Sequence, residues 1–314
     1  MSQRVMISGS VAYDTIMVFD GHFKDHILPD QVHMLNVSFL APSLKREFGG
    51  CAANIAYGLK ALGGDPLVLA AIGGQDGADY LRRFASLGID CARIRSIDEH
   101  YTAQAFITTD LSDNQITAFH PGAMGKADEV SASVDGLGAV WGIVAPNGKA
   151  AMLRHAREFT EQGLPFIFDP GQGLPMFNGE ELLQFLGLAE YCTVNDYEAK
   201  LMMERTSQSL SELAKQVKAL IVTRGGEGSH IHTAGGLIEI PPVKVDPKDP
   251  TGCGDAYRAG LVHGIVQGYD WEVTGRIASL IGAIKIEQAG TQNHAFTRTE
   301  FDDRYKASFG HAIR

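Results

Sequence analysis

The chain is expected to fold as an α/β protein, with a central, mostly parallel sheet between helical layers and a small second β-sheet attached. Three observations predict this. Short apolar runs alternate with helical patterns through most of the sequence, which is the signature of βαβ units. Two stretches, about 13–40 and 103–120, break that rhythm with strand-like runs and no strong helix between. No internal repeat, low-complexity tract or linker divides the 314 residues, so one unit, 1–314, carries both sheets.

Residues 4–8 read as the first strand, followed by strand-like residues 15–19 and 34–40. A helix is predicted over 51–62, a strand over 66–71 and a helix over 78–87. Residues 105–109 and 115–119 form two strands around Asp113-Asn114, a turn pair. The alternation resumes with a strand at 140–145, a helix at 150–161 and a strand at 165–169. A strand at 191–194, a helix near 197–204, a strand at 220–223 and a hairpin around Ala234-Gly235-Gly236 come next. Long helices beginning at Cys253 and Trp271 close the layer. The two strand-only stretches can form a sheet that covers the substrate mouth as a lid or pairs with a second subunit.

The formal net charge of -10 argues against broad contact with nucleic acid or acidic membranes, where clustered Lys and Arg are needed. Any bound phosphate must be held by backbone amides, metal and a few local charges. Cys51, Cys91, Cys192 and Cys253 lack zinc spacing and read as reduced thiols. With no signal-like or membrane-length apolar stretch, a cytoplasmic location is expected.

The segment Asp249-Pro250-Thr251-Gly252-Cys253-Gly254-Asp255 joins a glycine-rich turn to a helix start. N–H groups at such a start have no helical partners and point toward any anion placed there. An acid in the first turn can serve as a cap, but two glycines flanking a small residue exceed what a cap needs. They favour a site where the amides of residues 252–254 hold phosphate charge while Asp255 deprotonates an attacking hydroxyl. Gly49-Gly50 precedes a second helix, either for close packing or for ligand contact, and Asn54 one turn later suits a polyhydroxy ligand.

Asp14 follows the first strand at the expected carboxyl end of the sheet, where it either forms a turn or accepts from vicinal sugar hydroxyls. Asn195-Asp196-Tyr197-Glu198 has capping-box spacing, and the same groups suit a nucleotide phosphate and a magnesium-bound water. Thr223 with the turn amides around Gly225 and Gly228 either touches phosphate or merely opens a hairpin. Walker-type, dinucleotide, HEXXH and GxSxG patterns are all absent from the sequence.

In this order the motifs resemble the ribokinase-like (PfkB) family of sugar and nucleoside kinases, over essentially the whole chain. The resemblance implies a ribokinase-like α/β/α core, with a lid formed by about residues 14–41 and 104–120. It also implies ATP and Mg²⁺. It places the anion hole on Thr251, Gly252, Cys253 and Gly254, the base on Asp255, and the magnesium-associated pair on Asn195 and Glu198. The ATP-contacting threonine falls on Thr223, and the sugar contacts fall on Asp14, Gly49 and Gly50, with Asn54 beside them.

Residues 9–14, 37–40, 119–124, 193–198 and 255–260 look most like bacterial adenosine kinases and broader nucleoside kinases. That similarity implies that Ser10, Ser38 and Gln172 line a nucleoside pocket and that Phe119 stacks on the base. Ala105 stands where some adenosine kinases carry a second aromatic clamp, which implies a looser base pocket. A monovalent cation, K⁺, near Asp249 and Gly290-Thr291 is implied from many relatives. The expected reaction is ATP-dependent phosphorylation of a nucleoside's ribose 5′-hydroxyl, with a free-sugar kinase as the alternative. The expected partners are the nucleoside, ATP and a second copy paired through the lid sheets.

Overall fold

The computed structural model describes residues 3–27, 37–112 and 114–314. Its strands are β1 (Arg4–Ser8), β2 (Ala12–Val18), β3 (Ser43–Gly49), β4 (Asp65–Gly73), β5 (Ile94–Ile97), β6 (Ala103–Thr109) and β7 (Gln115–His120). They continue as β8 (Ala139–Val144), β9 (Phe166–Phe168), β10 (Tyr191–Asn195), β11 (Ala219–Thr223), β12 (Ser229–Thr233) and β13 (Gly236–Ile240). The helices are α1 (Cys51–Ala61), α2 (Ala78–Leu87), α3 (Lys149–Glu161), α4 (Gly179–Leu188) and α5 (Asp196–Thr206). They end with α6 (Leu210–Ala214), α7 (Cys253–Gln267), α8 (Trp271–Ile286) and α9 (Arg298–Phe309).

The large sheet has the order β13-β12-β11-β10-β9-β8-β1-β4-β5 and is parallel from β11 to β5, with β12 and β13 added as an antiparallel hairpin. Side chains alternate across it, as strand geometry requires. Val5, Ile7, Val68 and Ala70 face one core with α1, α2, α7 and α8, while Met6, Leu67 and Leu69 face another with α3 to α6. Helix α9 packs Phe301 and Tyr305 outside α8. Among the described residues no helix is long and apolar enough to cross a membrane.

After β1 the chain builds β4 and β5 on one side, then returns to place β8 on the other. The reversal opens a crevice beyond the carboxyl ends of β1 and β8, where ligands of open α/β sheets bind. The two loops meet there, with the Ser10 N–H donating to the Pro146 carbonyl at 2.8 Å.

The second sheet, in the order β3-β2-β6-β7, is entered directly from the end of β1 and left directly into α1. It differs from expectation at one strand. Residues 37–40 are irregular, and residues 34–36, like Asp113 of the expected turn, lie outside the described residues. The partner of β2 is instead β3, whose first four residues are exposed and therefore carry no apolar alternation for the sequence to display.

Candidate active site

Two helices bring two of the candidate site residues together. Gly58 on α1 lets α7 approach so closely that a Cβ there would stand 2.8 Å from that of Ala259. One turn earlier on each helix, Asn54 Nδ2 donates to Asp255 Oδ2 at 2.8 Å. Asp255 is therefore not the cap of α7; the N-cap is Gly252, at φ 78°, without a side-chain cap bond. Burial first of all raises the Asp255 pKa, making it a stronger base than an ordinary carboxylate, while Arg258 and the Asn54 bond draw it back.

Arg258, one turn further along α7, is buried against Asp169, whose Oδ1 accepts from its Nη2 at 2.6 Å, with Glu198 at 3.9 Å. Burial opposes its charge, but Asp169, Glu198 and Asp255 outweigh that and push its pKa above the usual arginine value. A fixed positive charge thus sits behind Asp255.

The α7 start fits an anion site with one correction. The Cys253 N–H donates to the Pro250 carbonyl at 3.2 Å because the tight turn closes on itself, so this amide is already engaged. The N–H groups of Gly252 and Gly254 bond no described residue, and Gly254 is exposed. Burial pushes the Cys253 thiol up to about 11, so it stays protonated. Thr251 is exposed, and its N–H donates to Asp249 Oδ1 at 2.9 Å.

A cavity of about 660 Å³ opens beside this loop, within the usual range for small-molecule sites. Thr223, Gly225 and Gly228 line it, and Gly228 is confined to glycine because a Cβ would lie 2.0 Å from the Ile240 carbonyl. The opposite wall is Pro242, Val243, Val245 and, from α8, Ala283 and Ile286, none of which the sequence reading singled out. They contribute apolar surface, which carries no motif.

Asn195 and Glu198 form the anticipated capping box: the Glu198 N–H donates to Asn195 Oδ1 at 2.7 Å, and the Asn195 N–H to Glu198 Oε2 at 2.8 Å. Among the described residues no three His, Cys, Asp or Glu side chains form a metal cluster.

On the acceptor side, the pairing registers align Glu47, Asp14, Ala105 and Phe119 in one row across the small sheet. Directly paired residues share a face. Asp14 and Phe119 thus look the same way, two strand spacings or about 10 Å apart, with only a methyl group between. Phe119 is exposed. Burial, then the charges of Asp255, Glu47 and Asp249, lift the Asp14 pKa to about 6.

The Asp14 carboxylate lies against Gly49, where a Cβ would be 2.5 Å from Oδ2. Gly50, at φ 91°, turns the chain into α1, and a Cβ there would stand 2.6 Å from the Ala12 N. Ser10 Oγ accepts from the Cys51 N–H at 2.9 Å, so this residue also caps α1 from outside the helix.

Gln292 was not foreseen. Its Nε2 lies 3.0 Å from both Asn54 Oδ1 and the Tyr80 hydroxyl, which donates to the Gly49 carbonyl at 2.5 Å. Gln172 is exposed on the 3₁₀ turn after β9. Ser38 is exposed beside Phe39, which packs on Phe19 and Phe23, and no hydrogen bond joins Ser38 to the described residues.

The chain matches the profile described as pfkB family carbohydrate kinase over residues 4–298. It is 33% identical over 261 residues to a nucleoside kinase from Methanocaldococcus jannaschii, covering 82% of this chain and 85% of that one. The structure of the Burkholderia thailandensis nucleoside kinase in complex with inosine superposes with a TM-score of 0.90 at 47% identity, covering 99% of this chain and 98% of that one. The same protein in its ADP-inosine complex gives 0.87 at 50% identity, covering 99% and 97%.

Proposed function

The chain belongs to the pfkB family of carbohydrate kinases and is an ATP-dependent kinase, and we infer that its acceptor is the ribose 5′-hydroxyl of a nucleoside. The carrying observation is the row on the small sheet. A ligand held by Asp14 through its ribose hydroxyls needs a second, flat group about 10 Å away to use Phe119, and a nucleobase is such a group. A free sugar leaves that aromatic unused. The relative that binds inosine supports the same reading.

Asp14, with Asn54 and the backbone at Gly49 and Gly50, holds the ribose. Asp255 takes the 5′-hydroxyl proton as that oxygen attacks the γ-phosphorus, and the β–γ bridging oxygen leaves with ADP. The free amides of Gly252 and Gly254 hold the spreading charge. The cavity between Thr223, Gly225, Gly228 and α8 takes the adenosine end of ATP. Asn195 and Glu198 would hold a phosphate-borne Mg²⁺ through water, and that ion would neutralise phosphate charge.

The small sheet acts as a lid that excludes water. Its outer face carries Leu44, Phe106 and Ile116, all exposed, which suits pairing with a second copy. The four free cysteines fit a cytoplasmic protein. The test is coupled ADP release with adenosine, inosine, guanosine, cytidine, ribose and fructose. Turnover on nucleosides with formation of the 5′-monophosphate is expected; turnover on free sugars alone overturns the acceptor.

A further inference from the structure

A monovalent cation at Asp249 would need free oxygen ligands, and the structure has already engaged them. Lys285 lies on the last turn of α8 with its side chain fully buried. Lysines normally extend their ammonium to water. This one donates to the main-chain carbonyl of Asp249 at 2.7 Å and of Gln288 at 3.2 Å, and stands 3.9 Å from Asp249 Oδ2.

Both carboxylate oxygens of Asp249 are also occupied. Oδ1 takes the Thr251 N–H and Oδ2 takes the Gly290 N–H at 2.8 Å. Burial works against the charge on Asp249, but these donors and Lys285 outweigh it and hold its pKa below the ordinary value. Burial lowers the Lys285 pKa, and the nearby Asp249 charge opposes that shift. A nest of backbone carbonyls beside one carboxylate is what protein sites for potassium offer. Here an ammonium of the chain fills it.

The neighbourhood shows what this cation holds. The Lys248 and Asp249 N–H groups donate to the Ile286 carbonyl at the end of α8, at 2.8 and 3.0 Å. Thr291 touches Gly252 on one side and donates to the Phe48 carbonyl at 2.5 Å on the other. The segments 248–252 and 285–291 therefore brace each other, and the anion-binding amides of Gly252 and Gly254 follow directly.

We propose that Lys285 is a positioning residue whose ε-ammonium replaces a dissolved monovalent cation, so that this kinase sets its anion-binding loop without K⁺. The residues at Asp249 do not fit a bound K⁺ while Lys285 occupies the nest. The proposal rests on the kinase reading for its activity readout alone.

The whole protein is assayed for ADP release at saturating nucleoside, with K⁺, Na⁺ or tetramethylammonium as the only added monovalent cation, and Tm is measured in each. Equal turnover and equal Tm are expected. Lys285→Met is expected to lose roughly tenfold to a hundredfold in kcat in tetramethylammonium. It should recover turnover and gain Tm when K⁺ or NH₄⁺ is supplied.

Marked activation of the wild type by K⁺ overturns the proposal. So does a folded Lys285→Met that keeps wild-type turnover without K⁺, or one whose loss no cation repairs. If that variant does not fold, the wild-type turnover and Tm comparisons still decide. Failure of the kinase reading looks different, because ADP release is then absent with every nucleoside in every buffer while the Tm series remains readable.

Discussion

The starts of α1 and α7 look alike as text, each a glycine pair running into small residues, and they fold to opposite purposes. At α1 the first amides are consumed: the Cys51 N–H by the Ser10 hydroxyl and the Ala52 N–H by the Ser10 carbonyl. At α7 no side chain caps the helix, and the amides of Gly252 and Gly254 bond no described residue. A closed helix start is a joint; an open one attracts anions. The glycines at α1 let β2 and Asp14 come close, whereas those at α7 leave room which, on the proposed reading, phosphate takes.

The largest expected effect lies at the open end. Asp255→Asn should fold and bind both substrates yet lose about 10²- to 10⁴-fold in kcat, measured by ADP release. Near-normal turnover would return Asp255 to a structural role. The next contrast sets the two glycine starts against each other. Gly50→Ala places its Cβ 2.6 Å from backbone that cannot yield, while Gly252→Ala meets the Thr291 side chain at 3.1 Å. Both occupy positive φ, which a residue with a Cβ resists, and Gly50 at ψ 137° lies outside the left-handed helical region that holds Gly252. Gly50→Ala should therefore show the larger fall in Tm, and Gly252→Ala the larger rise in KM for ATP; equal losses would erase the distinction.

A smaller effect tests the closure of α1. Ser10→Ala removes a bond to a helix-start amide and should cost about 1 kcal/mol in denaturant unfolding. An unchanged midpoint would show that the closed start does not depend on it. The smallest effect is one of pH. The Asp14 pKa is raised to about 6, so its carboxylate gains a proton as pH falls through that value and stops accepting ribose hydroxyls. KM for nucleoside should rise between pH 7 and 5 in the wild type. A KM flat to pH 5 would place the sugar contact elsewhere.

Much of this arrangement is legible in the amino-acid order. Buried parallel strands are continuous apolar runs, so β4, β8, β10 and β11 announce themselves, and α1, α2 and α7 begin within a residue of where their glycines and periodicity place them. Strand β3 hides because Ser43–Gly49 is mostly exposed and charged. The site residues with a motif around them, Asp255, Asn54 and Asn195, are visible. Those defined only by what comes near in space are not: Gln292 reaches Asn54 across 238 positions, and Arg258 finds Asp169 across 89. Lys285 carries no motif, and its burial emerges only in the fold. The free Cys253 amide was expected from the glycine pattern, and the turn bond to Pro250 removes it.

If the nucleoside binds as proposed, the row from Asp14 through Ala105 to Phe119 makes the small sheet a ruler with one blank graduation. Its divisions are strand spacings, which side-chain changes do not move, so the length of acceptor it measures is fixed while the width is open to choice at a single codon. On the proposed reading, different side chains at Ala105 should redraw selectivity among bases and leave the chemistry at the far end of the scale untouched.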